Sequence, residues 1–177
     1  MYGKRRGNLL AFGLGGLAWL LLSWGLAAPP CTAQGGFLGQ GLTRIGGYAL
    51  RSSCQDEDLV SVLPRLADEI EESLDKSLGL TVTRVESWDV ENLAGSSSVK
   101  LVLKALLQRM GEWGWVPVSQ DVEENQGFRT HTYLFLHQRG GAPLFVLVGE
   151  YPRWLSVQVF WLRSREAPPP LPSSREF

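Results

Sequence analysis

Cysteine and histidine are both scarce, because the 177 residues include only two of each. Cys31 and Cys54 have no cysteine or histidine at the short spacing of a zinc site. His131 and His137 are six residues apart, which is about 20 Å along a strand and too far for a shared metal ion. The sequence therefore predicts neither a metal centre nor a cofactor.

Catalytic signatures are also missing. The chain contains no Gly-x-Ser-x-Gly, His-Glu-x-x-His or phosphate-binding loop. Ser97 and Lys100 have a Ser-x-x-Lys spacing, which we interpret as a helix cap followed by a surface lysine. This favours a non-enzymatic protein. The enzymatic alternative is a small hydrolase in which His131 or His137 acts as general base beside an acidic residue.

The charge pattern lacks a basic face. Three of the 17 basic residues lie at positions 4–6, so 14 bases accompany all 18 acids in residues 34–177. Nucleic-acid-binding domains usually carry a cluster of lysine and arginine. We therefore expect no nucleic-acid partner.

A membrane-targeting segment is present at the N-terminus. Lys4, Arg5 and Arg6 precede an apolar run over residues 9–28, and small residues end the segment near Ala33. This order is typical of a secretory signal, which predicts cleavage after Ala33. The alternative is an uncleaved anchor, since 20 helical residues span about 30 Å. Either form predicts an extracytoplasmic protein, secreted or periplasmic, or anchored to the outer face of the inner membrane.

The state of the two cysteines depends on that cleavage. A cut after Ala33 leaves Cys54 alone, and we then expect an idle or buried thiol. A retained segment would instead allow Cys31 and Cys54 to pair.

Composition divides the rest of the chain into three parts. Residues 34–55 are rich in glycine and serine and predict a flexible linker, some of whose apolar residues could pack back on the domain. Residues 56–163 contain the periodic apolar patterns of a globular domain. Residues 164–177 include a proline run and predict a disordered tail.

Within the domain, apolar spacing predicts two helices and several strands. The helices are expected over residues 64–78, with Pro64 in the first turn, and over 97–112. An earlier helical turn over residues 56–62, which would place Pro64 inside the first helix, is an alternative. An acidic loop is expected over residues 121–127. The strands are expected over residues 80–88, 115–118, 128–137, 144–148 and 154–162. This predicts an α+β fold, with helix, strand and helix followed by a C-terminal meander. The two helices should pack on one face of a four- to five-stranded, mainly antiparallel sheet.

Two helices on one face would leave aromatic side chains exposed on the other. The candidates lie in the last strands: His131, Tyr133, Phe135, His137, Trp154 and Phe160. Such a face indicates a non-enzymatic binding or assembly module of a bacterial envelope, with a protein or a small ligand as partner. A further alternative is a membrane-anchored accessory subunit, in which the uncleaved N-terminal segment makes the membrane contact.

Overall fold

The computed structural model describes residues 29–74, 79–125 and 127–164. The apolar run of the predicted targeting segment and the proline-rich tail lie outside these residues. Within them, neither helix combines the length and apolar composition needed to cross a bilayer.

The described chain forms two helices, a six-stranded sheet and a small hairpin. The hairpin consists of β1 (Arg44–Ile45) and β2 (Tyr48–Ala49). The other elements are β3 (Arg51–Ser52), α1 (Glu57–Ser73), β4 (Leu80–Val90), α2 (Ser96–Glu112), β5 (Trp115–Asn125), β6 (Phe128–His137), β7 (Leu144–Tyr151) and β8 (Trp154–Ser164). The sheet order is β3-β4-β8-β7-β6-β5, with every neighbouring pair antiparallel. The α+β class and the C-terminal meander are confirmed, and the sheet has six strands rather than four or five.

Both helices begin differently from their predictions. α1 starts at Glu57, because the Asp56 carboxylate accepts hydrogen bonds from the backbone N–H groups of Asp58 and Leu59. The structure thus has the earlier helical turn that was the alternative, and Pro64 lies inside the helix and not in its first turn. α2 starts at Ser96 after Gly95, without a side-chain cap.

The predicted acidic loop over residues 121–127 is mostly strand. β5 continues to Asn125, whose partner in β6 is Phe128. A salt bridge of 3.0 Å joins Arg129 to Glu124 across this hairpin. The acidic residues therefore lie on an edge strand, which has no neighbour on its outer side among the described residues.

The two helices pack on opposite faces of the sheet, which corrects the prediction of a single helical face. Successive residues of a strand point to opposite faces. Val159 packs in a core with α2, whereas Phe160 packs in a second core with α1. We call the two surfaces the α2 face and the α1 face. The apolar stripe of each helix was visible in the sequence, but the choice of face depends on the connections between elements.

Residues 34–55 do not form a linker. Phe37, Leu38, Ile45 and Leu50 are buried in the core on the α2 face. Gly36 has a positive φ of 77°, and a side chain there would come within 2.7 Å of the Cα atom of Gly41. The glycines in this segment thus permit a tight fold. We call residues 34–53 the N-terminal lobe.

A buried carboxylate holds the N-terminal lobe on the sheet. Glu86 is only 2% exposed and accepts four hydrogen bonds. Its donors are the backbone N–H of Leu38 (2.9 Å), the indole N–H groups of Trp88 (3.2 Å) and Trp161 (3.0 Å), and the guanidinium of Arg84 (3.1 Å). Because each oxygen accepts two donors, the charge is compensated in place. The arrangement indicates a structural role for Glu86.

A disulfide joins Cys31 to Cys54. The backbone of Thr32 and Pro30 also bonds to Val85 at the outer edge of β4. Cleavage after Ala33 is therefore incompatible with this bond, and a processed form that keeps it must be cut before Cys31. The expected idle thiol is corrected to a paired cysteine. A disulfide fits a protein that folds outside the cytoplasm.

Candidate functional site

The six aromatic and histidine candidates do not share one exposed face. Tyr133, Phe135 and Phe160 are at most 2% exposed, and His131 is 9% exposed. His137 and Trp154 are half-buried. The prediction of an open face is thus corrected for the four buried residues. The strand over residues 128–137 was predicted correctly. Its side that carries His131, Tyr133, Phe135 and His137, however, lies under α2 and the N-terminal lobe.

The opposite side of the same strands is open. On the α1 face, Leu134 is the partner of Phe145, and Phe145 is the partner of Phe160. Phe160 is fully buried under α1, Phe145 and Leu134 are half-buried, and Leu136 is 46% exposed. Exposure therefore increases with distance from α1, which packs mainly against β4.

We call the uncovered part of the α1 face the open patch. It consists of Val116, Leu134, Leu136, Phe145 and Leu147. Val116 lies opposite Leu136 at the edge of the sheet and is 41% exposed. The residues at the corresponding place on the α2 face, such as Val146 and Phe135, are at most 1% exposed. A single helix covers only part of a sheet this wide, which leaves a continuous apolar surface.

Acidic side chains border the open patch. Asp121 and Glu123 lie on the α1 face of β5, opposite Thr132 and Thr130, and both are exposed. α1, which packs on the same face, also exposes acids, among them Asp68, Glu69 and Glu72. Its one base, Arg65, pairs with Glu69 at 2.9 Å.

A row of aromatic side chains lies on the α1 face, next to the turn between β7 and β8. Tyr151 stacks on Trp154 with ring centroids 3.9 Å apart and on Phe128 at 5.8 Å. The Tyr151 ring lies over Gly149, where a Cβ atom would be 2.8 Å from the ring. Since Tyr151 and Trp154 are cross-strand partners next to a short turn, their stacking stabilises the β7–β8 hairpin.

His131 has the carboxylate partner that a general base needs. Its Nε2 lies 2.9 Å from an oxygen of Glu150, and both side chains are 11% exposed. The other ring nitrogen, Nδ1, is buried and has no hydrogen-bond partner among the described residues. The ring stacks on Tyr133, where burial, followed by the charge of Glu150, raises the pKa of the phenol.

A cavity of about 310 Å³ lies beside this pair, but His131 does not line it. Its wall includes Glu150, Tyr151, Arg129 and Lys100. A general base must come within hydrogen-bond distance of the proton that it removes. The cavity is thus lined by the carboxylate of Glu150 and not by the imidazole of His131.

Both ring nitrogens of His137 are engaged by backbone groups. Nε2 donates to the carbonyl of Trp113 at 3.0 Å, and Nδ1 accepts from the N–H of Arg139 at 3.1 Å. These bonds fix a neutral tautomer, since a carbonyl can only accept and an N–H can only donate. His137 therefore connects the turn after α2 to the turn after β6 and has no free lone pair for catalysis.

No group of three or more potential metal ligands is found among the described residues. Comparison of the chain with protein-family models, with curated proteins and with solved structures finds no match.

Proposed function

We propose that this protein is an extracytoplasmic, non-enzymatic binding or assembly module of a bacterial envelope. The partner contacts the open patch. The observation that carries this proposal is the gradient of exposure on the α1 face, from fully buried Phe160 to Leu136 at 46%. Contiguous exposed apolar surface bordered by polar residues is typical of an interaction site.

The disulfide supports the extracytoplasmic location that we propose. The disulfide between Cys31 and Cys54 is of the kind that persists in an oxidising compartment. The domain is then secreted or periplasmic, or held at the outer face of the inner membrane by its N-terminal segment. Intact mass of the exported protein distinguishes these forms, because only the uncleaved chain can be an anchored accessory subunit.

Site-specific photo-crosslinking in the native cell tests the open patch. A photoreactive residue at Leu136 should give a discrete crosslinked product. The same residue at Leu101, which is 58% exposed on α2, is the matched control and should not. Val116→Lys should remove the product by placing a charge in the patch. Equal products from both positions, or no product at Leu136, would refute the proposal.

The hydrolase alternative rests on the contact between His131 and Glu150. It requires that the imidazole reach a substrate, for instance through the cavity lined by Glu150. Hydrolytic turnover that is lost in His131→Ala and kept in His137→Ala would favour the enzyme over the binding module.

A further inference from the structure

The charges around the open patch specify the chemistry of its partner. In β4 to β8, the described residues that point to the α1 face include no lysine or arginine. Arg84, Arg129 and Arg163 all occupy α2-face positions, opposite Trp161, Glu150 and Thr81. The acids Asp121 and Glu123, by contrast, point to the α1 face.

The helix on this face has the same bias. α1 contains six acidic residues and one base, Arg65, which is already paired with Glu69. The open patch is therefore bordered by acids on β5, and the helix that packs on the same face carries an excess of acids. An excess of acids over bases repels an acidic partner and attracts a basic one, and complementary charge of this kind governs partner choice more than total affinity.

We propose that the open patch binds a cationic amphipathic segment of a partner protein. Its apolar side chains would cover Leu134, Leu136 and Phe145. Its lysine or arginine residues would pair with Asp121 and Glu123 on β5, and the acidic excess of α1 would add to the attraction. This inference rests on the proposed function and adds the chemical class of the partner.

Three labelled peptides provide the test, with the purified full chain carrying the photoreactive residue at Leu136. The peptides share one apolar face and differ only in flanking residues, which are lysine, glutamine or glutamate. We expect the lysine peptide to reach half-maximal crosslinking at about tenfold lower concentration than the glutamine peptide, as a few exposed ion pairs would give. Salt should reduce this preference. The glutamate peptide should crosslink least.

Matched variants locate the charge effect. Asp121→Asn with Glu123→Gln should raise the half-maximal concentration of the lysine peptide by about three- to fivefold, since each exposed pair contributes little. Glu112→Gln with Glu124→Gln changes the net charge equally but lies off the α1 face, since Glu112 is on α2 and Glu124 pairs with Arg129 on the α2 face. This control should change it less than about twofold.

Each other outcome overturns the inference and leaves a distinct result for the proposed function. Equal crosslinking of all three peptides would remove the charge requirement while the patch remains a docking site. Crosslinks to residues 1–28 of the same chain, or to a second copy, would identify a different occupant. Absence of peptide crosslinks would refute the cationic partner, and the cellular crosslink at Leu136 would then decide the proposed function independently.

Discussion

The buried carboxylate of Glu86 permits a quantitative test of how the N-terminal lobe is held. Glu86→Gln keeps the shape of the side chain and replaces one acceptor oxygen by an N–H donor. In the better orientation, the remaining oxygen still accepts from Leu38 and Trp88. The amide nitrogen then faces the donors of Trp161 and Arg84, which lose their acceptor.

The expected loss follows from those two donors. An unsatisfied buried donor costs about 1–3 kcal/mol. The Trp161 indole is half-buried, whereas the Arg84 side chain is 40% exposed and can bond to water. We therefore expect Glu86→Gln to lower the free energy of unfolding by about 2–3 kcal/mol, which corresponds to roughly 5–10 °C in Tm for a domain of this size.

Urea unfolding followed by tryptophan fluorescence measures this change, because Trp88 and Trp161 contact the altered group. Glu91→Gln is the control, since Glu91 is 51% exposed and lies 3.8 Å from Arg51. Such a surface pair contributes at most about 1 kcal/mol. If the two variants differed by less than about 0.5 kcal/mol, the proposed role of Glu86 would be wrong, because no buried donor would have lost its acceptor.

Three further predictions concern stability. Cys54→Ser should destabilise the domain by about 3 kcal/mol, as expected for a loop with a sequence separation of 23. Reductant should cause the same loss of stability in the wild type and none in the variant. A variant whose stability still depends on reductant would contradict this. Burial raises the pKa of Asp89 despite hydrogen bonds to Ser53 and Ser156, so the folded state binds this proton more tightly than the unfolded chain does. The stability contribution of Asp89 is then lost as pH rises from its unfolded pKa through its raised folded pKa. Asp89→Asn should therefore gain urea resistance relative to the wild type between pH 3 and pH 7. A difference in urea midpoint between the two proteins that stays constant over this range would count against the prediction. Gly149→Ala should cost about 1–3 kcal/mol, because the new Cβ meets a Tyr151 ring that is stacked against Phe128 and Trp154. Thermal unfolding should show most of that cost disappearing in a Tyr151→Ala background, and purely additive losses would disprove the clash.

The apolar periodicity of the sequence predicted which segments form helices and strands, but it did not predict which of their sides are buried. The strand over residues 128–137 has the predicted bounds, because its alternation is regular. Alternation divides β6 into two sides but does not say which side is covered. His131 and Tyr133 were predicted on an exposed face because they are polar, yet α2 and the N-terminal lobe bury them. On the other side of the strand, Leu134 is half-buried and Leu136 is 46% exposed.

Composition was misleading where glycine has a local geometric role. The N-terminal lobe was predicted to be flexible because of its glycines, whereas Gly36 allows the close chain approach that places Phe37 between Trp88 and Trp113. Glu86 gave no signal in the sequence. Two of its four donors, Leu38 and Trp161, are 48 and 75 residues away in the chain, so only the assembled fold brings them to it.

The position of the disulfide has a mechanical consequence. The bond connects Cys31 directly to Cys54, so residues 32–53 form a covalently closed loop. A force that pulls on the chain would be transmitted through the disulfide and not through this loop. A pull applied to the chain ahead of Cys31 would pass through the two sulfur atoms into the start of α1 and along the edge of β4, and the N-terminal lobe would carry none of it. After chemical reduction of the disulfide, the same pull would act on the N-terminal lobe. The lobe would then be the first part of the domain to unfold under force.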